Sequence, residues 1–216
     1  MLLQVREPKV KFRALLSATV AVLVLTGCSG QSELAGSAAI VAGKQIPTTL
    51  VTARVNEVRM EIEQLPASQV SQVPTLAELS RMILSRAILE EVLALGLAQQ
   101  NIVVTDAQVS EFKQSVFAQY GQDVIEAQIA TQNGVGLEQV DNFMRMVFGE
   151  QLLAQLLTPN GTSDEQTNGL VDYLGTISRD MDIQTSPRFG EWNPNDLQVL
   201  AGDMALSQPA AIQATQ

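Results

Sequence analysis

The sequence predicts a mainly α fold: a multi-helix bundle with one long helix, plus short extended segments near the N- and C-terminal ends of its principal domain. Three observations carry this. Apolar residues recur at helical spacing over six segments. Several of those segments open on a Thr, Ser or Asp suited to an N-cap. Turns rich in Gly, Pro and Asn separate them, as at Pro66, Gly121, Asn133-Gly134 and Pro159-Asn160-Gly161.

The chain begins with a different kind of segment. Arg6, Lys9, Lys11 and Arg13 lead into an uncharged apolar run over residues 14–26, the layout of a secretory signal peptide. A membrane-spanning helix needs ~20 apolar residues, and Gly27, Cys28, Ser29 and Gly30 interrupt this run before that. A buried helix would carry its cations at the end where the helix dipole disfavours them. The residues Leu25-Thr26-Gly27-Cys28 resemble the lipobox of bacterial lipoproteins at all four positions. That resemblance implies cleavage between Gly27 and Cys28 and a thioether-linked lipid on Cys28, the only cysteine. A thiol is the best side-chain nucleophile for such an alkylation. The plainer alternative is a free thiol or half of an intermolecular disulfide. The expected organisation is a signal peptide over 1–27, a lipidated tether over 28–39, a helical domain over 40–193 and a largely disordered tail over 194–216. The expected location is the extracytoplasmic face of a cell membrane.

Removing the leader leaves nine basic against 22 acidic residues, a net charge of −13. Nucleic acid requires a basic footprint, so neither it nor anionic lipid suits this surface. Attachment to the membrane then falls to palmitate-type acyl chains on Cys28, two of which anchor stably where one is marginal. The chain has no histidine, which removes His-based triads, proton shuttles and His metal ligands. The single cysteine removes thiolate zinc sites and internal disulfides. Gly134-Val135-Gly136 lacks the preceding strand that a dinucleotide loop needs. Glu61 with Glu63, Glu90 with Glu91 and Asp180 with Asp182 are carboxylate pairs at spacings that do not share a helix face, and they read as solvated surface. No catalytic, cofactor-binding or metal-binding residue is nominated, and no enzyme activity is expected.

In order along the chain, residues 29–39 are small and polar, suited to a tether. Residues 40–46 read as extended, with a turn at Gly43-Lys44, and stop at Pro47. Helical spacing starts at Thr48 through Leu50, Ala53, Val55, Val58, Ile62 and Leu65, and Pro66 closes it. A second helix opens at Pro74 or Thr75 and runs to about Gln100 through Leu76, Leu79, Ile83, Ala87, Ile88, Val92 and Leu95. At ~26 residues it is nearly 40 Å long. Ile102-Val103-Val104 is a short extended link. Thr105 with Gln108 forms a capping box for a third helix with Val109, Phe112, Val116 and Tyr120 inward.

Gly121 breaks that helix, and Asp123 caps a fourth through Gln132 with Val124, Ala127 and Ile129 inward. A fifth helix over 137–157 carries a broad stripe of Val140, Phe143, Met144, Val147, Phe148, Leu152 and Leu156. The triplet Asn160-Gly161-Thr162 matches a glycosylation sequon and is read as a plain turn. Ser163 caps a sixth helix to about Asp180, with Leu170, Tyr173, Leu174 and Ile177 inward. Residues 181–186 alternate as a strand does, and after Ser207 little remains to bury.

The lead AIVAGKQIP, the stretch EEVLALGLAQQNIVVTDAQV closing the long helix and opening the next, and the order of helices resemble the N-terminal chaperone domain of SurA and its relatives PrsA and trigger factor. The ending SPRFGEWN is similar to the NPRFGxW ending of actinobacterial lipoproteins of this group. The resemblance covers about residues 38–193. It implies a holdase or folding helper for secreted or envelope proteins. Larger members insert a parvulin domain between their last two helices; here only residues 158–163 stand there, and parvulin histidines are absent, so no prolyl isomerase activity is expected. A bundle with one long helix can leave an apolar cleft for extended clients, where methionines such as Met60, Met82, Met144 and Met146 give adaptable contacts. A structural or adaptor lipoprotein that uses the same fold to hold one envelope partner is the competing expectation.

Overall fold

The computed structural model describes residues 34–70 and 72–202. The expected leader, its cleavage site at Gly27 and Cys28, and the segment beyond 202 lie outside the described residues. The mainly α architecture is as expected. Among the described residues, six helices, one 3-10 turn and five short strands follow in the order β1 (Ser37–Val41), β2 (Lys44–Pro47), α1 (Thr48–Gln64), α2 (Leu76–Gln99), α3 (Asp106–Tyr120), α4 (Gln122–Asn133), the 3-10 turn (Leu137–Gln139), α5 (Val140–Leu157), α6 (Ser163–Asp180), β3 (Ile183–Thr185), β4 (Glu191–Asn193) and β5 (Gln198–Leu200).

The first hairpin turns on Ala42 and Gly43, both at positive φ (49° and 81°), the geometry that matches the natural twist of a two-residue hairpin. β1 then pairs antiparallel with β2 on one edge and with β3 on the other. All five residues of β1 are buried. The folded domain therefore starts at Ser37, inside the expected tether, because Ala38 and Ala39 are small enough to lie under the helices. Pairing β1 with β3 also closes the fold, since the first and last parts of the helical domain meet in one sheet.

α2 is the spine. Its Thr75 hydroxyl accepts from the Glu78 N–H while the Glu78 carboxylate accepts from the Thr75 N–H, a reciprocal capping box. At 24 residues it spans about 36 Å. It packs against α1, α5, α6, β1 and β5, so Leu84 and Leu93 are buried beside the expected Leu79, Ile83, Ala87, Ile88 and Val92. A single stripe under-describes a helix covered on several sides. α1 buries Val51, Val55, Val58 and Ile62; Leu50 and Ala53, expected on that face, point outward.

The capping box of Thr105 with Gln108 forms as expected and starts α3. Its face is Val109, Phe112 and Val116, with Tyr120 exposed. α4 starts at Gly121 without a side-chain cap, and Asp123 sits in its first turn instead. Ala127 and Ile129 are buried there, and Val124 faces solvent. The cap of α6 is Thr162, one residue before the expected Ser163, because the capping partner Glu165 stands three positions after Thr162. Ile102-Val103-Val104 forms no strand; Val103 is 77 % exposed.

The chain also folds past Asn193. Asn193 Oδ1 accepts from the Asn195 N–H at 2.9 Å, an Asx turn, and the chain returns as β5 alongside β4 with Trp192 opposite Val199. Asn-Pro-Asn-Asp at 193–196 is thus a hairpin turn rather than the end of the domain. Gly190 makes the return feasible. Its φ is +115°, and a Cβ there would stand 1.9 Å from the Leu200 carbonyl oxygen. Trp192 Nε1 donates to Ser178 Oγ at 2.7 Å, and Val199 is buried.

Two apolar clusters result. The larger joins β1, β2, α1, α2, α6 and Val199, with Leu153 from α5. The smaller joins Val109, Ile129, Val135, Val140 and Met144, where α3, α4 and the start of α5 meet. α5 connects them, and a groove lies between it and α2.

Candidate binding groove

The groove has a volume of about 930 Å³ and lies between α2, α5, the C-terminal end of α4 and β5. On α2 it is lined by Glu78, Arg81, Met82, Ser85, Arg86 and Leu89, the 3–4 spacing of one helix face. On α5 it is lined by Phe143, Met146, Val147 and Glu150 at the same spacing. The third wall is the hairpin strand β5, fixed to α2 where the Val199 N–H donates to Ser85 Oγ at 2.8 Å. Ser85 in turn donates to the Arg81 carbonyl.

The surface is apolar where Met82, Leu89, Phe143, Met146 and Val147 meet, with charge set among them. Arg86 Nη2 donates to the Asn133 carbonyl at the end of α4. Its guanidinium lies over the Phe143 ring, 5.0 Å from the centroid, a cation–π contact. Arg86 Nε is buried without a partner among the described residues. Burial lowers its pKa to about 10, partly countered by the Glu90 carboxylate. Arg86 is therefore cationic at neutral pH and held from two sides.

Glu150 is different. Burial pushes its carboxyl up to about 7, and only the nearby Arg86 charge pulls the other way. It makes no hydrogen bond or ion pair among the described residues; the ion pairs found there are Lys44–Glu91, Arg59–Glu63, Lys113–Asp141 and Arg145–Asp106. A small chamber that shares Arg86 with the groove is lined by Arg54, Glu90, Gln139 and Gly136 together with Ile83 and Val135. Arg54 donates to Gln139 at 3.1 Å. Burial raises the Glu90 carboxyl, with Arg54 and Arg86 opposing it. Next to Gly136, Glu57 Oε1 is buried without a partner among the described residues.

The carboxylate pairs read from the sequence do not form shared sites. Glu61 accepts from the Leu137 N–H through both oxygens at 3.1 Å, and burial raises its pKa. Glu63 faces Arg59 and Glu91 faces Lys44, whereas Glu90 turns inward rather than toward solvent. Asp182 accepts from Gln184. Among the described residues no group of three or more His, Cys, Asp or Glu side chains could hold a metal ion, and no helix is long and apolar enough to cross a membrane. Of the four methionines singled out, Met82 and Met146 line the groove, Met144 is core, and Met60 is exposed on α1.

Sequence reading missed Arg86 and Glu150, though a signal was present. Glu150 stands four residues after Met146 and seven after Phe143, on the apolar stripe of α5, and Arg86 stands three after the buried Ile83. A charge set within an apolar stripe marks a group that the fold must either pair or use. No family model, curated protein or solved structure matches this chain.

Proposed function

We propose that this chain is a lipid-anchored, extracytoplasmic holdase that binds extended segments of secreted or envelope proteins in the groove between α2, α5 and β5, without prolyl isomerase or other enzyme activity. The observation that carries the reading is the groove. It offers about 930 Å³, within the size class of ligand sites, and its apolar part is built largely from flexible, polarisable or flat side chains. Met82 and Leu89 of α2 and Phe143 and Met146 of α5 line it. Methionine adapts to partners of different shape where branched side chains cannot. The anchor rests on the Leu25-Thr26-Gly27-Cys28 pattern behind a basic and apolar leader.

The test is suppression of aggregation. Residues 34–202 at near-stoichiometric ratio should slow aggregation of several unrelated unfolded proteins, and Met146→Glu should lose that effect while keeping its helical circular dichroism. A proline-limited refolding reaction should not be accelerated. A second reading, an adaptor for one envelope partner, is favoured by Arg86 and Glu150 in the groove wall, since fixed charges select partners more sharply than methionines do. An adaptor would ignore the unrelated proteins and co-purify with a single one.

A further inference from the structure

We infer that the groove selects client segments bearing a basic side chain, whose ammonium or guanidinium pairs with the Glu150 carboxylate while neighbouring apolar residues lie on Met146 and Leu89. The inference rests on the groove reading above and specifies the chemistry of the occupant.

The charge accounting of the groove leads there. It contains four ionisable side chains: Glu78, Arg81, Arg86 and Glu150. The Glu78 carboxylate is engaged by the backbone and hydroxyl of Thr75. The Arg86 guanidinium is engaged by the Asn133 carbonyl and the Phe143 ring. Arg81 lies more than a turn nearer the N-terminus of α2 than Arg86, toward Glu78. Glu150, half-buried, is left as the one groove carboxylate without a hydrogen bond or ion pair among the described residues, in a wall that also carries Leu89, Met146 and Val147.

An ion pair formed on binding is normally weakened by the desolvation of both partners. On the Glu150 side part of that desolvation is already built into the folded protein, where burial raises the carboxyl pKa to about 7. A cation arriving there supplies a contact partner, where the fold offers only the Arg86 charge, which forms no ion pair with Glu150. The wider field acts in the same direction: residues 34–202 carry nine basic against 20 acidic side chains, a net of −11, which draws cationic segments in and repels acidic ones.

The test uses two fluorescent peptides with the same apolar residues, one with a central Lys and the other with Gln there, titrated by anisotropy at pH 8 and low salt against the folded domain. The Lys peptide should bind roughly tenfold more tightly, the ratio that one exposed-to-buried charge pair of about 1.4 kcal/mol gives. Glu150→Gln should bring the ratio near one, whereas Glu111→Gln, on the exposed face of α3, should preserve it. A ratio near one for the unaltered protein, or one that Glu111→Gln lowers as much as Glu150→Gln, overturns this inference alone. Failure of both peptides to bind overturns the groove reading and this inference with it.

Discussion

Glu150→Gln should stabilise the protein, and only above the pH at which a free glutamate ionises. In the folded chain burial raises this carboxyl from 4.5 to about 7, so folding favours its protonated form. Below about pH 4.5 the group is protonated in both states and costs nothing. Between 4.5 and 7 the unfolded chain ionises while the folded one resists, and stability falls by up to 1.36 kcal/mol for each pH step, reaching about 3 kcal/mol above pH 7. The attraction of Arg86 is already included in that figure, since it acts on the same carboxyl. Glutamine keeps the shape and has no charge to desolvate. The variant should therefore match the unaltered domain at pH 4.5 and exceed it by about 3 kcal/mol at pH 8, or about 6–12 °C in Tm for a domain of this size. Urea unfolding followed by circular dichroism at pH 4.5, 6 and 8 measures this. Glu90 and Glu61 are also raised by burial, so the comparison is the difference between variant and parent at each pH, from which those groups cancel. A difference that is constant with pH, or a variant less stable at pH 8, would refute the reading that burial in the groove wall raises the Glu150 carboxyl.

Three further outcomes follow from the packing and from the leader. Gly190→Ala places a Cβ against the Leu200 carbonyl at a φ of +115°; it should cost ~3 kcal/mol or detach the β4–β5 hairpin, and Trp192, the single tryptophan, should shift its emission to longer wavelength. Leu153→Ala should cost about 2–5 kcal/mol by urea unfolding, and Leu156→Ala within about 0.5 kcal/mol, because Leu153 is fully buried and Leu156 is 51 % exposed. Cys28→Ser should release the chain from the membrane fraction or leave it uncleaved, and unchanged anchorage of that variant would contradict the lipid attachment.

Features set by near neighbours were legible before the structure. Thr105 and Gln108 are three residues apart and satisfy each other's backbone whatever the tertiary surroundings, and the limits of α1, α3 and α6 came out within a residue or so. Features set by distant partners were not. In α5 the spacing chose Leu152 and Leu156 where the fold buries Leu153 and Ala154, because α5 turns from the smaller cluster to α2 and α6 along its length and its inward face rotates with it. β5 has only Val199 and Leu200 as apolar residues, too short a pattern to predict a strand, and is defined by a carbonyl over Gly190 and a hydrogen bond to Ser85, 114 residues away. The groove needed all of these placed first: α2 and α5 each show a 3–4 stripe, but only the packing decides that a groove lies between them and that β5 walls it. Only that geometry brings Arg86 and Glu150, 64 residues apart in sequence, into one groove wall.

Whether unfolded chains occupy this groove is the claim on which the functional account depends. A photo-crosslinking amino acid introduced at position 146, in the groove wall, and separately at position 60, exposed on α1, tests it when each protein is mixed with several unrelated reduced and unfolded proteins and irradiated. The account predicts crosslinks to all of them from position 146 and background from position 60. Absence of crosslinks from position 146, or equal yields from the two positions, would contradict it.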